Sequence, residues 1–323
     1  MTPLDEGCYN SPMKVLITGG AGFIGSHVAD AFLAAGHDVA IVDDLSSGAL
    51  ANVPSRARFY LMNICSPELA KVFQIEKPDI VDHHAAQISV TVSARDPQLD
   101  ARINGLGLLN VLECCRGSSG VKKVIFISSG GAIYGEAEVP KIPEDYPATP
   151  MSPYAIHKQL GEAYLRFYAA AHGLAFTTLR YANVYGPRQN PHGEAGVVAI
   201  FISKLLKGEV PVINAYPEDP DGMSRDYVYV EDAARANVLA LERGPGEAVN
   251  IATSREVKTR ELLAAISRIM GKELRFTMGE ARPGDLRRSC LDNRKAVKVL
   301  GWKPSHDLEA GLEKTVAFFS SHA

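Results

Sequence analysis

The segment Ser152-Pro153-Tyr154-Ala155-Ile156-His157-Lys158 sets a phenol four residues before an ammonium. Ser152 suits an N-cap and Pro153 the first helical position, so Tyr154 and Lys158 would stand one turn apart on one helix face. A phenol with an ordinary pKa of about 10 is a poor base at neutral pH, but a nearby positive charge favours its phenolate. The pair is therefore a candidate for proton transfer. Alone it would mean little, because Tyr-x-x-x-Lys arises by chance on many helices. A second motif gives it meaning: Thr18-Gly19-Gly20-Ala21-Gly22-Phe23-Ile24-Gly25 spaces Gly19, Gly22 and Gly25 as G-x-x-G-x-x-G between an apolar run and a helical pattern. Glycines so placed let backbone N–H groups and a helix N-terminus approach a pyrophosphate. About 20 positions on, Asp43 closes the next apolar run, where a carboxylate hydrogen-bonds an adenosine ribose and repels a 2′-phosphate. The expected ligand is a dinucleotide, NAD in preference to NADP.

These residues need a scaffold that collects them at one edge. From Lys14 short β-branched runs alternate with longer helical patterns, the order of a parallel sheet with crossover helices on both faces. Lys14–Thr18, Asp38–Val42, Arg58–Leu61, Ile80–His83, Lys122–Ser128 and Phe176–Arg180 read as strands. Phe23–Ala35 and Ala101–Cys115 read as helices, the second with Leu108, Val111, Leu112 and Cys115 on one stripe. The fold expected is α/β, a Rossmann-type doubly wound sheet. Asn63-Ile64 and His84-Ala85-Ala86-Gln87 fall just after the third and fourth strands, where the same ligand would pass.

Beyond Pro187 the texture becomes irregular, with helices expected at Ala195–Leu206, Glu231–Leu241, Thr259–Met270 and Asp307–Phe319. Short strands are expected at Val210–Ile213 and Ala248–Ile251. The reading divides the chain into an irregular leader (1–12), a dinucleotide-binding domain (13–187) and a smaller C-terminal α/β substrate-binding lobe (188–323), with crossing back between lobes allowed. The leader lacks the basic flank and apolar core of a signal peptide, and fold reasoning begins at Met13.

The 323 residues are 46% hydrophobic and 22% charged, which excludes collagen-like and disordered classes. No apolar run reaches the ~18 residues of a membrane span. A net charge of −3 offers no general attraction to nucleic acid or anionic membranes, so any anionic ligand must be met locally. The five cysteines have no C-x-x-C spacing, and no metal-ligating set is found. A reducing cytoplasm is the expected compartment.

The two motifs do not stand alone. Asp43-Asp44-Leu45-Ser46-Ser47-Gly48, Ser128-Ser129-Gly130-Gly131-Ala132-Ile133-Tyr134-Gly135, Leu179-Arg180-Tyr181-Ala182-Asn183-Val184-Tyr185-Gly186-Pro187-Arg188, Arg225-Asp226-Tyr227-Val228-Tyr229-Val230 and Arg282-Pro283-Gly284-Asp285 follow in order. With them the chain, from Met13 almost to its end, resembles the extended short-chain dehydrogenase/reductase superfamily, and within it the nucleotide-sugar branch of the UDP-glucose 4-epimerases. The resemblance implies that Tyr154 removes the sugar 4-hydroxyl proton while hydride passes from C4 to NAD. The 4-keto sugar then turns over and takes the hydride back on its other face. It assigns to NAD Gly19, Gly22, Phe23, Ile24, Gly25, Asp43, Asp44, Leu45, Ser46, Ser47, Gly48, Asn63, Ile64, His84, Ala85, Ala86, Gln87, Tyr154, Lys158 and Tyr181. To the UDP-sugar it assigns Ser129, Asn183, Val197, Val198, Arg225, Arg282, Asp285 and Ser289.

Family members usually carry Ser or Thr four residues before the tyrosine of the Tyr134-Gly135 pair; here that residue is Gly130. Ser129 is the expected replacement, with Ser128 second. An acidic residue just after, typical of 4,6-dehydratases and decarboxylases, is missing from Gly130-Gly131-Ala132-Ile133, which favours epimerisation. Ser289 stands where a bulky tyrosine would exclude N-acetyl groups, so both plain and acetamido UDP-sugars are expected to fit. Rival readings are a 4-epimerase of UDP-glucuronate or another nucleotide sugar, an NADP-dependent keto-sugar reductase, and a non-catalytic cofactor-binding module. The resemblance also implies a homodimer, built on the stripes of Ala101–Cys115 and of the Tyr154–Ala171 helix unless those pack on the sheet.

Overall fold

The computed structural model describes residues 11–191, 196–281 and 285–322. The leader up to residue 10, and Arg282 with the two residues after it, lie outside them. Six parallel strands form where the β-branched runs stand: β1 (Lys14–Thr18), β2 (Asp38–Asp43), β3 (Arg58–Leu61), β4 (Ile80–His83), β5 (Lys123–Ser129) and β6 (Ala175–Tyr181). After β7 (Asn183–Tyr185), β8 (Val212–Ala215) and β9 (Ser224–Tyr229) the chain returns as β10 (Glu247–Ile251), which pairs with β6. The sheet order is β10-β6-β5-β4-β1-β2-β3, a doubly wound Rossmann-type arrangement whose order reverses between β1 and β4. The run around Ala248–Ile251, expected in the smaller lobe, is thus the seventh strand of the main sheet. Its Val249 and Ile251 are fully buried, and pairing covers the β6 edge that would otherwise be open.

Alternation along the strands divides the core into two layers. Val15 and Ile17 face the Phe23–Ala34 and Val230–Ala240 helices, while Leu16 faces Val72, Phe73, Leu112 and Leu165 on the opposite side. Both faces are covered, which is why β2 and β4 read as unbroken buried runs after the first residue of β2. The Leu108, Val111, Leu112 and Cys115 stripe packs on the sheet. Its helix opens with a π-helical stretch, Ala101–Gly107, and becomes regular over Leu108–Gly117.

A third cluster, including Tyr185, Val198, Phe201, Tyr227, Leu262 and Leu312, is the core of the second lobe. It lies around β9, flanked by β11 (Glu256–Lys258), β13 (Arg288–Ser289) and β7, while β8 pairs with β12 (Thr277–Glu280). Asp226 stitches this lobe to the main sheet. Its carboxylate accepts from Thr253 N and Ser254 N (both 2.9 Å), Thr253 Oγ1 (2.6 Å) and Leu291 N (3.4 Å), just beyond β10 and β13.

Replacing Asp226 with Ala leaves those donors buried without an acceptor. The substitution is expected to cost at least about 3 kcal/mol. Urea unfolding followed through Trp302, the single and fully buried tryptophan, reads the loss.

Candidate active site

The C-terminal ends of β1 to β6 open into one cleft of about 950 Å³. At its first end lies the glycine turn. Gly19 has φ +74°, and a Cβ there would stand 2.5 Å from Ala85 N, so only glycine lets the β1 and β4 loops close on each other. At Gly25 a Cβ would lie 2.2 Å from Gly19 O. The Phe23–Ala34 helix that follows has no side-chain cap, and its first-turn residues Phe23 and Ile24 line the cleft. Uncapped helix amides and a turn stripped of side chains make a cradle for a diphosphate, which fits a dinucleotide.

Asp43, at the end of β2, accepts from Ala21 N (3.0 Å) and Leu45 N (2.8 Å). Burial pushes its carboxyl above the ordinary value against these bonds, and with two acceptor positions used it keeps capacity for ribose hydroxyls. Asp44 accepts from Asn63 Nδ2 (2.6 Å) and Ser46 N (2.9 Å), so Asn63 both shapes its own turn and steadies the acidic edge. Ile64, His84, Ala85, Ala86, Gln87, Ser46 and Ser47 also line the cleft. Gln87 nevertheless spends its amide on Asp100 Oδ1 (2.7 Å) and the Ser89 carbonyl (2.9 Å).

Leu45 and Gly48 do not line it. Leu45 adopts a left-handed φ of 59° so that its N–H can reach Asp43, and Gly48 packs where a Cβ would stand 2.8 Å from Ala21 C. They support the cradle from behind.

In the middle of the cleft stand the candidate proton-transfer groups. Ser152 caps the Pro153–His172 helix by accepting from Ala155 N (3.2 Å), as its sequence anticipates. Tyr154 and Lys158 share a face, with Lys158 Nζ 5.8 Å from the Tyr154 ring centre. Burial pushes the phenol up to about 12, opposed by a hydrogen bond with the Ser129 side chain and reinforced by the Asp100 carboxylate. Lys158 is buried and donates to Ile127 O at 2.8 Å. Burial brings it down to about 8, which still leaves it an ammonium at neutral pH.

The two candidate serines are not equivalent. Both border the cleft with Tyr154, but Ser128 Oγ donates to Glu162 Oε1 (2.7 Å), whereas the Ser129 hydroxyl, at the end of β5, is the one that favours the Tyr154 phenolate. At Gly130 a side chain would press on the end of Leu291, which would have to move to admit it.

At the far end Tyr181, Asn183, Val197, Val198, Arg225 and Asp285 line the cleft. Tyr181 accepts from Asn237 Nδ2 (2.5 Å), and Asn183 donates to Asp226 O (3.3 Å). Arg225 gives one donor to the Ser224 carbonyl (2.8 Å) and brings its guanidinium to the cleft. Ser289 does not line it: pairing of β13 with β9 sets it opposite Arg225 and buries it. Residues not anticipated also line the cleft, among them Arg188, Phe201, Asn214 and Tyr227. Phe201 follows Val197 by one helical turn, so periodicity could have found it. Asn214 carries no such signal. Among the described residues no group of His, Cys, Asp and Glu could hold a metal, and no helix is long and apolar enough to cross a membrane.

A family model, the NAD dependent epimerase/dehydratase family, matches residues 15–252. The chain belongs to that family. It is 44% identical over 313 residues to UDP-glucose 4-epimerase of Mycolicibacterium smegmatis, covering 95% of this chain and 98% of that one. The structure of UDP-glucose 4-epimerase from Thermotoga maritima with UDP-glucose superposes with a TM-score of 0.93 at 47% identity, over 96% of this chain and 99% of that one. UDP-glucose 4-epimerase of Thermus thermophilus in complex with NAD gives 0.91 at 45%, over 96% and 100%. The protein is NAD-dependent, as its glycine cradle and Asp43 anticipate.

Replacing Gly25 with Ala drives a Cβ into the Gly19 carbonyl and opens the cradle. The purified variant is expected to carry at least about tenfold less NAD than the unaltered protein. Cofactor released by acid and counted by enzymatic assay measures it.

Proposed function

We propose that the chain interconverts UDP-glucose and UDP-galactose by inverting C4 through a transient 4-keto sugar. One observation carries the reading: Ser129, Tyr154 and Lys158 converge in the middle of a cleft whose two ends are each suited to a diphosphate, the helix amides at one and Arg225 with Asn183 at the other. NAD bound in the first end supplies the hydride acceptor and donor, and its positive ring favours the Tyr154 phenolate. Tyr154 takes the proton from the 4-hydroxyl and later returns it. Ser129 hydrogen-bonds the 4-oxygen and lowers the cost of ionising Tyr154. Lys158, held by the Ile127 carbonyl, presents its remaining donors to the cofactor ribose. Arg225 meets the substrate diphosphate as a fixed, always charged fork, and Asn183 adds an amide donor. Asp285 and the Val197–Leu206 helix border the nucleotide end.

Acetamido sugars are part of the proposal. Ser289 ends short of the cleft, so nothing at that position narrows the sugar end. The scattered cysteines agree with a cytoplasmic protein: burial pushes the Cys114 thiol up to about 11, and Cys115 is raised further, so both stay protonated and inert.

Purified protein incubated with UDP-galactose and no added NAD is expected to yield UDP-glucose, and with UDP-GalNAc to yield UDP-GlcNAc, read by sugar-nucleotide chromatography. Tyr154→Phe is expected to lower kcat by about 10²–10⁴-fold. Unchanged turnover in that variant would remove Tyr154 from the mechanism, and net consumption of added cofactor would make the protein a reductase.

A homodimer completes the reading. Leu106, Ile156, Leu160 and Phe167 are 62%, 49%, 37% and 57% exposed on two helices that pack side by side. Ile156 and Leu160 are one turn apart and Phe167 two turns further, a continuous apolar face that a second copy would cover. Sedimentation velocity is expected to show a dimer, and Phe167→Glu a monomer; a monomeric unaltered protein would refute the assignment.

A further inference from the structure

Consecutive serines at the end of β5 have opposite fates, and the cause lies behind the cleft. We propose that the buried Glu162–Arg180 pair is a positioning unit for the reaction, holding the Ser128 hydroxyl inward so that Ser129 is turned toward Tyr154. The inference rests on the epimerase reading above and goes beyond it in assigning work to residues that touch neither substrate nor cofactor.

Glu162 follows Tyr154 and Lys158 at four-residue steps, so a single helix face carries base, ammonium and clamp. Its Oε1 accepts from Ser128 Oγ (2.7 Å) and Arg180 Nε (2.9 Å), and its Oε2 from Arg180 Nη2 (2.6 Å). Both partners are nearly sealed from water, at 2% and 9% exposure. A buried ion pair is weak evidence for stability, because desolvation offsets much of its attraction. Its placement suggests another use.

Arg180 spends its remaining Nη1 on Tyr134 Oη (2.7 Å) and the Glu144 carbonyl (2.9 Å), and Tyr134 in turn donates to Asn250 Oδ1 (3.1 Å). Ser129 is therefore bracketed, by Ser128 before it and by Tyr134 after it, on one guanidinium–carboxylate fork. Successive strand residues point to opposite sides, so fixing Ser128 fixes the direction of Ser129. Glu162 also faces Arg166 of its own helix at 3.9 Å. Tyr154 faces Asp100 from the Pro97–Asp100 helix, Lys158 from its own helix and Ser129 from β5. Of these, the Ser129 hydroxyl, which lines the cleft beside Tyr154, is the group the fork controls. Loosening it removes a contact that favours the phenolate, so Tyr154 titrates higher and the acid limb of kcat moves to higher pH.

The test compares Ser128→Ala, Ser129→Ala and the double variant in the full chain with NAD retained. Ser128→Ala is expected to keep its NAD content and its KM for UDP-galactose within about twofold, lose about tenfold in kcat, and shift the acid limb upward. If Ser128 acts through Ser129, it adds nothing in the Ser129→Ala background; independent losses that multiply would overturn the proposal. Tyr154 ionisation, followed as the ultraviolet difference from the matching Tyr154→Phe protein, should also move up in Ser128→Ala. That readout needs no turnover, so it judges the positioning role even if the substrate assignment fails. Glu162→Gln should move the titration in the same direction, and if it does not fold, Ser128→Ala still decides. Lowered thermal stability with an unmoved Tyr154 titration would make the pair a fold element only and sink the idea.

Discussion

A buried ammonium must find oxygen, and in this chain Lys158 finds it on the main chain of β5. The Nζ–Ile127 O bond of 2.8 Å fixes the Pro153–His172 helix against the end of the strand that carries Ser129. From it follow the height of Tyr154 in the cleft, the contact of its phenol with Ser129, and the distance of both from the glycine turn. Burial lowers the lysine to about 8 and raises the tyrosine to about 12, so the protein's own groups set a cation beside a neutral phenol. The proposed chemistry needs the phenol ionised, and in that proposal the Ser129 hydroxyl and the positive cofactor ring favour it.

The same helix face extends inward to Glu162, where a second buried charge is answered by Arg180. Lys158 and Glu162 thus anchor one helix to two neighbouring strands through β5 and β6, one using a backbone carbonyl and the other a side-chain fork. Two buried charges of opposite sign on successive turns leave the helix little freedom to slide, because any shift strands one of them without a partner. Asp226 repeats the principle in the second lobe, where one carboxylate gathers donors from beyond β10 and β13. Its neighbours in sequence, Arg225 and Tyr227, line the cleft, so the tie that joins the lobes also sets the substrate end.

Much of this was legible in local pattern. Lys14–Thr18, Arg58–Leu61 and Ile80–His83 form with the bounds that their β-branched runs suggest, and the capped helix begins where Ser152-Pro153 says it should. Glycine spacing located the cradle because positive φ and close backbone approach demand glycine whatever surrounds it. Motif membership was a blunter guide. Leu45, Gly48 and Ser289 belong to recognisable segments yet do not reach the cleft wall, since how far a residue of a loop or strand extends into a cavity depends on what packs against it.

The amino-acid sequence by itself determined the parallel α/β architecture, the dinucleotide cradle, the preference for NAD and the Tyr154–Lys158 pair, all of which show in residue types, periodicity and spacing along the chain. Tertiary structure alone decided that the Ser128 hydroxyl is taken up by Glu162, which lies 34 residues from it. It decided that Glu247–Ile251 completes the main sheet, since a short apolar strand pairs with whichever edge is open to it. It set Leu291 against Gly130, a neighbour that no spacing reveals. Periodicity and turn chemistry are local and can be read along the chain; partner choice for buried charges, edges and cavities is made only when distant segments pack.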